Sequence, residues 1–354
     1  MESFNVRPED VKRFVSDSLV KVGATVGNAK TVADVLTAAD LRGHYSHGLN
    51  RLDKYVNEIE KGFCNGQVSP VIIKETPSTA FVDGKDGLGM VVSKFCMDLA
   101  IAKAKQTGIA WVNCTASNHY GMAAWYVMRA AEEGLIGMSM TNGSPLMMPI
   151  GAAQLALGSN PIAFAAPANG DSFVLDMATT TVALGKIEVD LRKGNQIPLS
   201  WAVNSEGKDT TDPREVMEGG GLKPVGGYKG YGLATMVEVF CGILSGGPFA
   251  THIRLWSDSQ NDKPANLGQS FLAMDPNCFA PDFQENLQTL IDELRSLEPA
   301  DPNKPVLIAG DPETIHTRMI EERDYIIYPS ALISTLNELS SKLGVEPIHV
   351  LKGE

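Results

Sequence analysis

The sequence lacks any spacing that would turn its cysteines into a framework. Its five cysteines (Cys64, Cys96, Cys114, Cys241, Cys278) are scattered over 354 residues with no C-x-x-C pair. An odd count without metal spacing reads as free thiols in a reducing compartment. The chain is also short of positive charge: 30 Lys and Arg stand against 42 Asp and Glu, a net charge of -12. A surface that acidic repels DNA, RNA and anionic membranes, so neither nucleic acid nor a membrane is an expected partner. An anionic small molecule remains compatible, provided its site is locally basic. No run of about 18 apolar residues occurs; the most apolar stretch, 155–167, is interrupted by Ser159, Asn160 and Pro161. The opening Met1-Glu-Ser-Phe-Asn5 has neither the basic nor the apolar region of a signal peptide, and the expectation is a cytoplasmic protein.

Several signatures are missing too. No G-x-x-x-x-G-K-[ST] is present, which argues against a P-loop kinase or ATPase. Gly87-Leu-Gly89 begins like a dinucleotide fingerprint, but the third glycine is absent. No acidic residue stands about 20 positions on, so the motif does not support a Rossmann fold. No H-E-x-x-H occurs, and no internal repeat or long low-complexity segment is found.

What is present is an enzyme-like chain. Hydrophobic residues make up 44% and charged residues 20%, enough for a full core. Glycine is abundant, at 34 residues against a usual share of about 7%. At this length about two domains are expected. The first 75 or so residues read as helical, with Val11, Phe14 and Val15 at helical spacing after Pro8 and a second helix from about Ala29 to Leu41 stopped by Gly43. Beyond Pro70 the pattern alternates. Strands are predicted at Val71–Ile73, Ala80–Val82, Ile109–Val112, Ile136–Met140, Ile162–Ala165, Phe173–Leu175 and Val306–Ile308. Helices are predicted at Val91–Gln106, Ala123–Glu133, Leu233–Leu244, Phe283–Leu297, after Pro312, and at Ser330–Leu343. The layout is α/β or α+β.

Three segments have chemical potential, each with a plainer alternative. His44 and His47 are three apart, but no third ligand cluster supports a metal. If that segment is helical, Ser46, His47 and Arg51 stand within about one turn of each other. A hydroxyl, an imidazole and a guanidinium suit a carboxylate, with Arg as bidentate clamp; a helix cap with solvated charges is the alternative. Ser117-Asn-His119-Tyr-Gly121 follows a strand and precedes a helix, the edge where α/β proteins place active residues. His119 is either an ordinary loop histidine or a proton-transfer group. Gly226-Gly-Tyr-Lys229-Gly-Tyr-Gly232 is either a flexible linker or a backbone cradle with a cation in it.

Taken jointly, the motifs S-H-G-L-N-R-L (46–52), D-G-K-D-G-L-G (83–89), S-N-H-Y-G (117–121), T-N-G-S-P (141–145), L-G-S-N-P-I-A-F-A-A-P (157–167), L-D-M-A-T (175–179), T-T-D-P (210–213) and G-G-Y-K-G-Y-G-L (226–233) decide more than any one of them. In this order the chain resembles the type 2 malate/L-lactate dehydrogenase family, whose relatives include sulfolactate, ureidoglycolate and piperideine-carboxylate oxidoreductases. The resemblance implies a non-Rossmann α/β fold with a mixed sheet and a homodimer. It also implies a helical, dimerising domain from both chain ends (1–75 plus 312–354) around a catalytic NAD(P)-binding domain (76–311).

The implied activity is NAD(P)-dependent interconversion of a small 2-hydroxy acid, malate or lactate in type, and its 2-oxo acid. Sulfolactate, ureidoglycolate or a cyclic imino acid are alternative substrates, and a catalytically inactive binding or structural relative is a further alternative. Carried over by position, His119 matches the acid/base and Ser46, His47 and Arg51 match the element contacting substrate and cofactor. Tyr55 closes the substrate pocket beside Arg51 and His119. His47, Asp176, Met177, Ala178, Lys229, Ala309, Gly310 and Asp311 match cofactor contacts; no metal is implied. Three departures stand out. Asp53 replaces the family's proline, Ala309-Gly-Asp311 replaces P-G-E, and Gly143 replaces a serine expected to bind cofactor, with Ser144 next to it.

Overall fold

The structure is a computed structural model and describes residues 3–256 and 263–351. The chain opens with a short strand β1 (Ser3–Val6) and helices α1 (Pro8–Lys21) and α2 (Val26–Leu41). Pro8 sits in the first turn of α1, where its missing N–H costs nothing. The Thr25 hydroxyl caps α2 by accepting from the Asn28 N–H. Residues 45–51 make two short 3₁₀ turns rather than one regular helix, then α3 (Leu52–Glu60) follows.

The middle of the chain builds a sheet: β2 (Val71–Glu75), β3 (Thr79–Asp83), α4 (Gly89–Thr107), β4 (Ile109–Ser117), α5 (Ala124–Glu132), β5 (Ile136–Thr141), β6 (Ile162–Pro167) and β7 (Ser172–Met177). A small lobe comprises α6 (Leu184–Lys193), the two-residue strands β8 (Ala202–Val203) and β9 (Asp209–Thr210), α7 (Pro213–Met217) and β10 (Gly221–Leu222). Then come α8 (Tyr228–Glu238), continued by a π-helical turn at Val239–Ile243, β11 (Leu267–Met274), α9 (Phe283–Arg295), α10 (Asp311–Arg323), β12 (Ile326–Pro329) and α11 (Ser330–Leu343).

The main sheet has the order β2-β3-β4-β11-β5-β6-β7. Only β3 and β4 pair in parallel; every other neighbour is antiparallel. The sheet is therefore mixed and not a doubly wound Rossmann sheet, as the incomplete fingerprint implied. Because β4 and β5 both run against β11, they run the same way; β3 and β7 follow by the same bookkeeping. The loops leaving β3, β4, β5 and β7 thus emerge at one edge, and each carries one of the singled-out motifs.

One buried apolar cluster joins the two chain ends, from Val6, Phe14, Leu36 and Leu52 to Tyr328, Leu336 and Ile348. A second lies between the sheet and α4 and α5, around Met97, Val112, Tyr126 and Phe271. Burial of this apolar area is the main stabilising term.

Two expectations need correction, and one element was missed. Val306–Ile308 is not a strand: it follows Pro305, which has no N–H to donate, and only Ala309 reaches the sheet edge, accepting from the Val174 N–H at 3.3 Å. The helix expected from Leu233 begins five residues earlier, at Tyr228, inside the glycine-dense connection. The long strand β11 at the centre of the sheet was not foreseen. Its residues from Leu267 to Phe271 are all buried, so it shows no alternation between faces.

Candidate active site

A cavity of about 650 Å³ opens at the edge where β3, β4, β5 and β7 end, a size usual for a small-molecule or cofactor site. Its walls come from the 3₁₀ turns and α3, the loops after β3, β4, β5 and β7, the start of α6, and residues 253–256. Ser46, His47, Arg51, Tyr55, His119, Gly143, Asp176, Met177 and Ala178 all line it. Lys229 and Ala309–Asp311 do not. Lys229 is exposed in the first turn of α8. Gly310 packs on Val174 of β7, and Asp311 is bound by Arg295, whose guanidinium holds its carboxyl below the usual range.

The loop bearing His119 is pinned on both sides. The Asn118 side chain donates to the Asp86 and Gly87 carbonyls at 3.1 and 2.9 Å, and its own carbonyl accepts from Gln269 of β11 at 2.8 Å. Gly89 makes the close approach possible: a Cβ there would lie 2.1 Å from the Asn118 carbonyl oxygen. The fingerprint-like glycine therefore serves packing beneath His119. Gly48 plays the same part under the 3₁₀ turns, where a Cβ would meet Asp40 Oδ1 at 1.8 Å. Asp40 Oδ2 in turn accepts from the Leu49 N–H at 2.9 Å and the Tyr328 hydroxyl at 2.6 Å.

His119 Nδ1 shares a hydrogen bond with Tyr55 Oη at 2.7 Å. The ring stacks on Trp256 with centroids 4.3 Å apart and planes 20° from parallel, and on His47 at 5.8 Å. Burial is the main cause that holds His119 well below its ordinary pKa of 6.5, helped by the neighbouring His47 and Arg51. Burial, Arg51 and His44 likewise lower His47 to about 4, and its Nδ1 meets Ser46 Oγ at 2.9 Å. Burial raises the Tyr55 phenol, so it keeps its proton. Arg51 Nε donates to the Ser46 carbonyl at 2.6 Å, which fixes the guanidinium and leaves its terminal nitrogens for the cavity. Asp176 Oδ2 accepts from the Ala124 N–H at 2.7 Å, and burial raises this carboxyl against that bond and the nearby His44 and Arg42.

Gly143 faces open space: no atom lies within 4 Å of a Cβ placed on it. The neighbouring Ser144 hydroxyl is engaged within the protein. Its Oγ donates to the Arg254 carbonyl and accepts from the Trp256 N–H, both at 2.9 Å. Asn142 and Asn160, from two of the motifs, both donate to the buried Glu238 carboxylate at 3.3 and 2.7 Å, so these asparagines brace loops. Trp256 was not foreseen; the only sequence signal was an aromatic in a polar stretch. Arg254, ion-paired with Glu58 of α3, was also missed. Among the described residues no group of three or more His, Cys, Asp or Glu is placed to hold a metal ion. None of the helices there is long and apolar enough to cross a membrane.

A buried imidazole whose protonated form is disfavoured and a guanidinium fixed by the Ser46 carbonyl thus share one cleft at the sheet edge. Residues 6–337 match the malate/L-lactate dehydrogenase family. The chain is 42% identical over 353 residues to a malate dehydrogenase of Pyrococcus abyssi, covering 97% of this chain and 96% of that protein. It is 38% identical over 342 residues to an L-sulfolactate dehydrogenase of Methanocaldococcus jannaschii, covering 96% and 97%. The crystal structure of malate dehydrogenase from Entamoeba histolytica superposes with a TM-score of 0.92 at 32% identity, covering 98% and 99%. The chain belongs to the malate/L-lactate dehydrogenase family, a family of nicotinamide-linked 2-hydroxy-acid dehydrogenases.

Proposed function

We propose that the protein interconverts a small 2-hydroxy acid of the malate or lactate type and its 2-oxo acid with NAD(H) or NADP(H), His119 being the acid/base. The observation that carries this reading is His119 itself: a buried imidazole on the cavity wall, hydrogen-bonded to Tyr55 and next to Arg51. The Tyr55 hydroxyl and the Gly121 N–H, at 3.4 Å, both meet Nδ1, so Nε2 is the ring nitrogen left for the substrate. In the tautomer that acts as base, Nδ1 donates to Tyr55 Oη in place of accepting from Gly121, and the lone pair on Nε2 takes the substrate's hydroxyl proton. Tyr55, held neutral, is a positioning group and closes the pocket. Arg51 is the clamp for the substrate carboxylate, because His47 carries no charge near neutral pH.

The nicotinamide cofactor, when bound, supplies the hydride acceptor or donor. Residues of this chain fit it. Ala183, Leu184 and Gly185 begin α6 at the cavity with no side-chain cap, next to Lys186, an arrangement suited to a diphosphate. His47, Gly143, Asp176, Met177 and Ala178 line the same cavity. Lys229 and Ala309–Asp311 stay outside this cavity, and their role as cofactor contacts rests on the resemblance alone.

We also propose a cytoplasmic homodimer with the helical domain of 1–75 plus 312–354 set apart from 76–311. The apolar face of α8 and its π-helical continuation supports a partner copy, since Met236, Val239, Ile243 and Leu244 are exposed. Light scattering should give twice the chain mass. The activity test is absorbance of NADH and NADPH with oxaloacetate, pyruvate, sulfopyruvate and cyclic imino acids. Turnover of a 2-oxo acid is expected; silence with all of them, together with no thermal shift by either nucleotide, would mark an inactive relative.

A further inference from the structure

The cavity has more positive charge than the reaction at His119 uses. Arg51, Lys54, Lys186 and Arg254 all line it. Arg254 is neutralised by Glu58, and Lys186 lies at the start of α6. Lys54 is half-buried and forms no ion pair among the described residues. Its Nζ lies 5.5 Å from the centre of the Trp256 ring, and the Arg51 guanidinium carbon lies 5.8 Å from the same centre. Two cations of adjoining turns thus flank the one indole that stacks on His119.

That indole is held from both neighbouring elements. Its backbone N–H donates to Ser144 Oγ, whose hydroxyl donates to the Arg254 carbonyl; the Arg254 guanidinium is paired with Glu58, one turn beyond Lys54 on α3. Ring contacts with Tyr55 at 5.9 Å complete the frame. A fixed aromatic wall limits what a pocket admits by shape, and a half-buried unpaired cation next to it selects charge.

We propose that Trp256 and Lys54 are the specificity-determining pair of this pocket. Trp256 restricts the group carried on the reacting carbon to a short unbranched chain, and Lys54 pairs with an acid group at the end of that chain while Arg51 holds the first carboxylate. The favoured substrates are compact diacids, with a carboxylate or sulfonate as second group, over monoacids and ring-bearing acids. This inference rests on the dehydrogenase reading of the site.

The test compares kcat/KM for oxaloacetate, pyruvate and phenylpyruvate in the wild type, Lys54→Met, Lys54→Arg, Trp256→Phe and Trp256→Ala. Lys54→Met should lower kcat/KM for oxaloacetate about tenfold or more, mainly through KM, and leave pyruvate nearly unchanged. Lys54→Arg should recover most of that loss. Trp256→Ala should raise phenylpyruvate relative to oxaloacetate by about tenfold, and Trp256→Phe should not. Equal losses on diacid and monoacid in Lys54→Met, or an unchanged profile in Trp256→Ala, would overturn the assignment. If the wild type reduces no 2-oxo acid, the dehydrogenase reading fails by itself. Tryptophan-fluorescence titration with malate, using Trp256→Phe as the blank, then decides the pair: equal affinity of wild type and Lys54→Met for malate refutes it, and weaker binding by Lys54→Met upholds it.

Discussion

At the scale of single residues, the site is set by what burial does to charge. The His119 ring is desolvated and faces Arg51, so its protonated form is disfavoured. A lowered pKa means the base form is already present below neutral pH. In the direction of hydroxy-acid oxidation, kcat/KM should stay flat from neutral pH down past the ordinary imidazole value of 6.5 before it falls. An acidic limb at or above that value, measured with either nucleotide, would contradict the assignment. His119→Ala should lose about 10²–10⁴-fold in kcat, and near-full turnover would remove the ring from the chemistry. Gly143 offers a gain instead. Its φ is not positive and nothing lies within 4 Å of an added Cβ, so Gly143→Ser should fold with a stability change within about 0.5 kcal/mol. Through the restored hydroxyl it should lower the KM for the nucleotide. A raised KM would show that the space is used in another way.

At the scale of elements, the site depends on backbones that touch. Gly89 begins α4 directly beneath the Asn118 and His119 carbonyls. Gly89→Ala must push that loop away, and a displacement of about 1 Å costs about a hundredfold in rate. We expect kcat to fall by that order while secondary structure by circular dichroism persists; unchanged kcat would mean that the loop absorbs the methyl group elsewhere. Helices were legible where one face was buried: α2, α5 and α11 fall within a few residues of their expected bounds, because apolar spacing and stop glycines mark them. The sequence was silent where burial is two-sided or the element is very short. β11 shows no alternation because it is the sheet's middle strand, and β8, β9 and β10 have two residues each.

At the scale of the whole molecule, the two chain ends are tied to the site through Asp40. It is fully buried on α2, accepts from Tyr328 of β12, and holds the Leu49 N–H in the turns that present His47 and Arg51. Burial raises its carboxyl from the ordinary 3.8 to about 7, against the pull of those two hydrogen bonds. The folded chain therefore keeps a proton that the unfolded chain releases between those values. The contribution is complete below about 3.8 and is lost as the pH rises toward 7. Wild-type melting temperature should thus drop more steeply over that interval than that of Asp40→Asn, which has no proton to lose. Parallel slopes in scanning calorimetry would exclude Asp40 as the source.

The sequence alone determined the α/β class, the failure of the Rossmann fingerprint, the family, and the group of His119 with Ser46, His47 and Arg51. These follow from local spacing and from motifs whose residues act at short range. Only the tertiary structure decided that Trp256 covers His119, that Lys54 forms no ion pair beside it among the described residues, and that the Ser144 hydroxyl ties together Arg254 and Trp256. It also left Lys229 and Ala309–Asp311 outside the cavity. Each of these depends on segments more than a hundred residues apart meeting at one sheet edge, and the direction of every strand in between fixes that meeting.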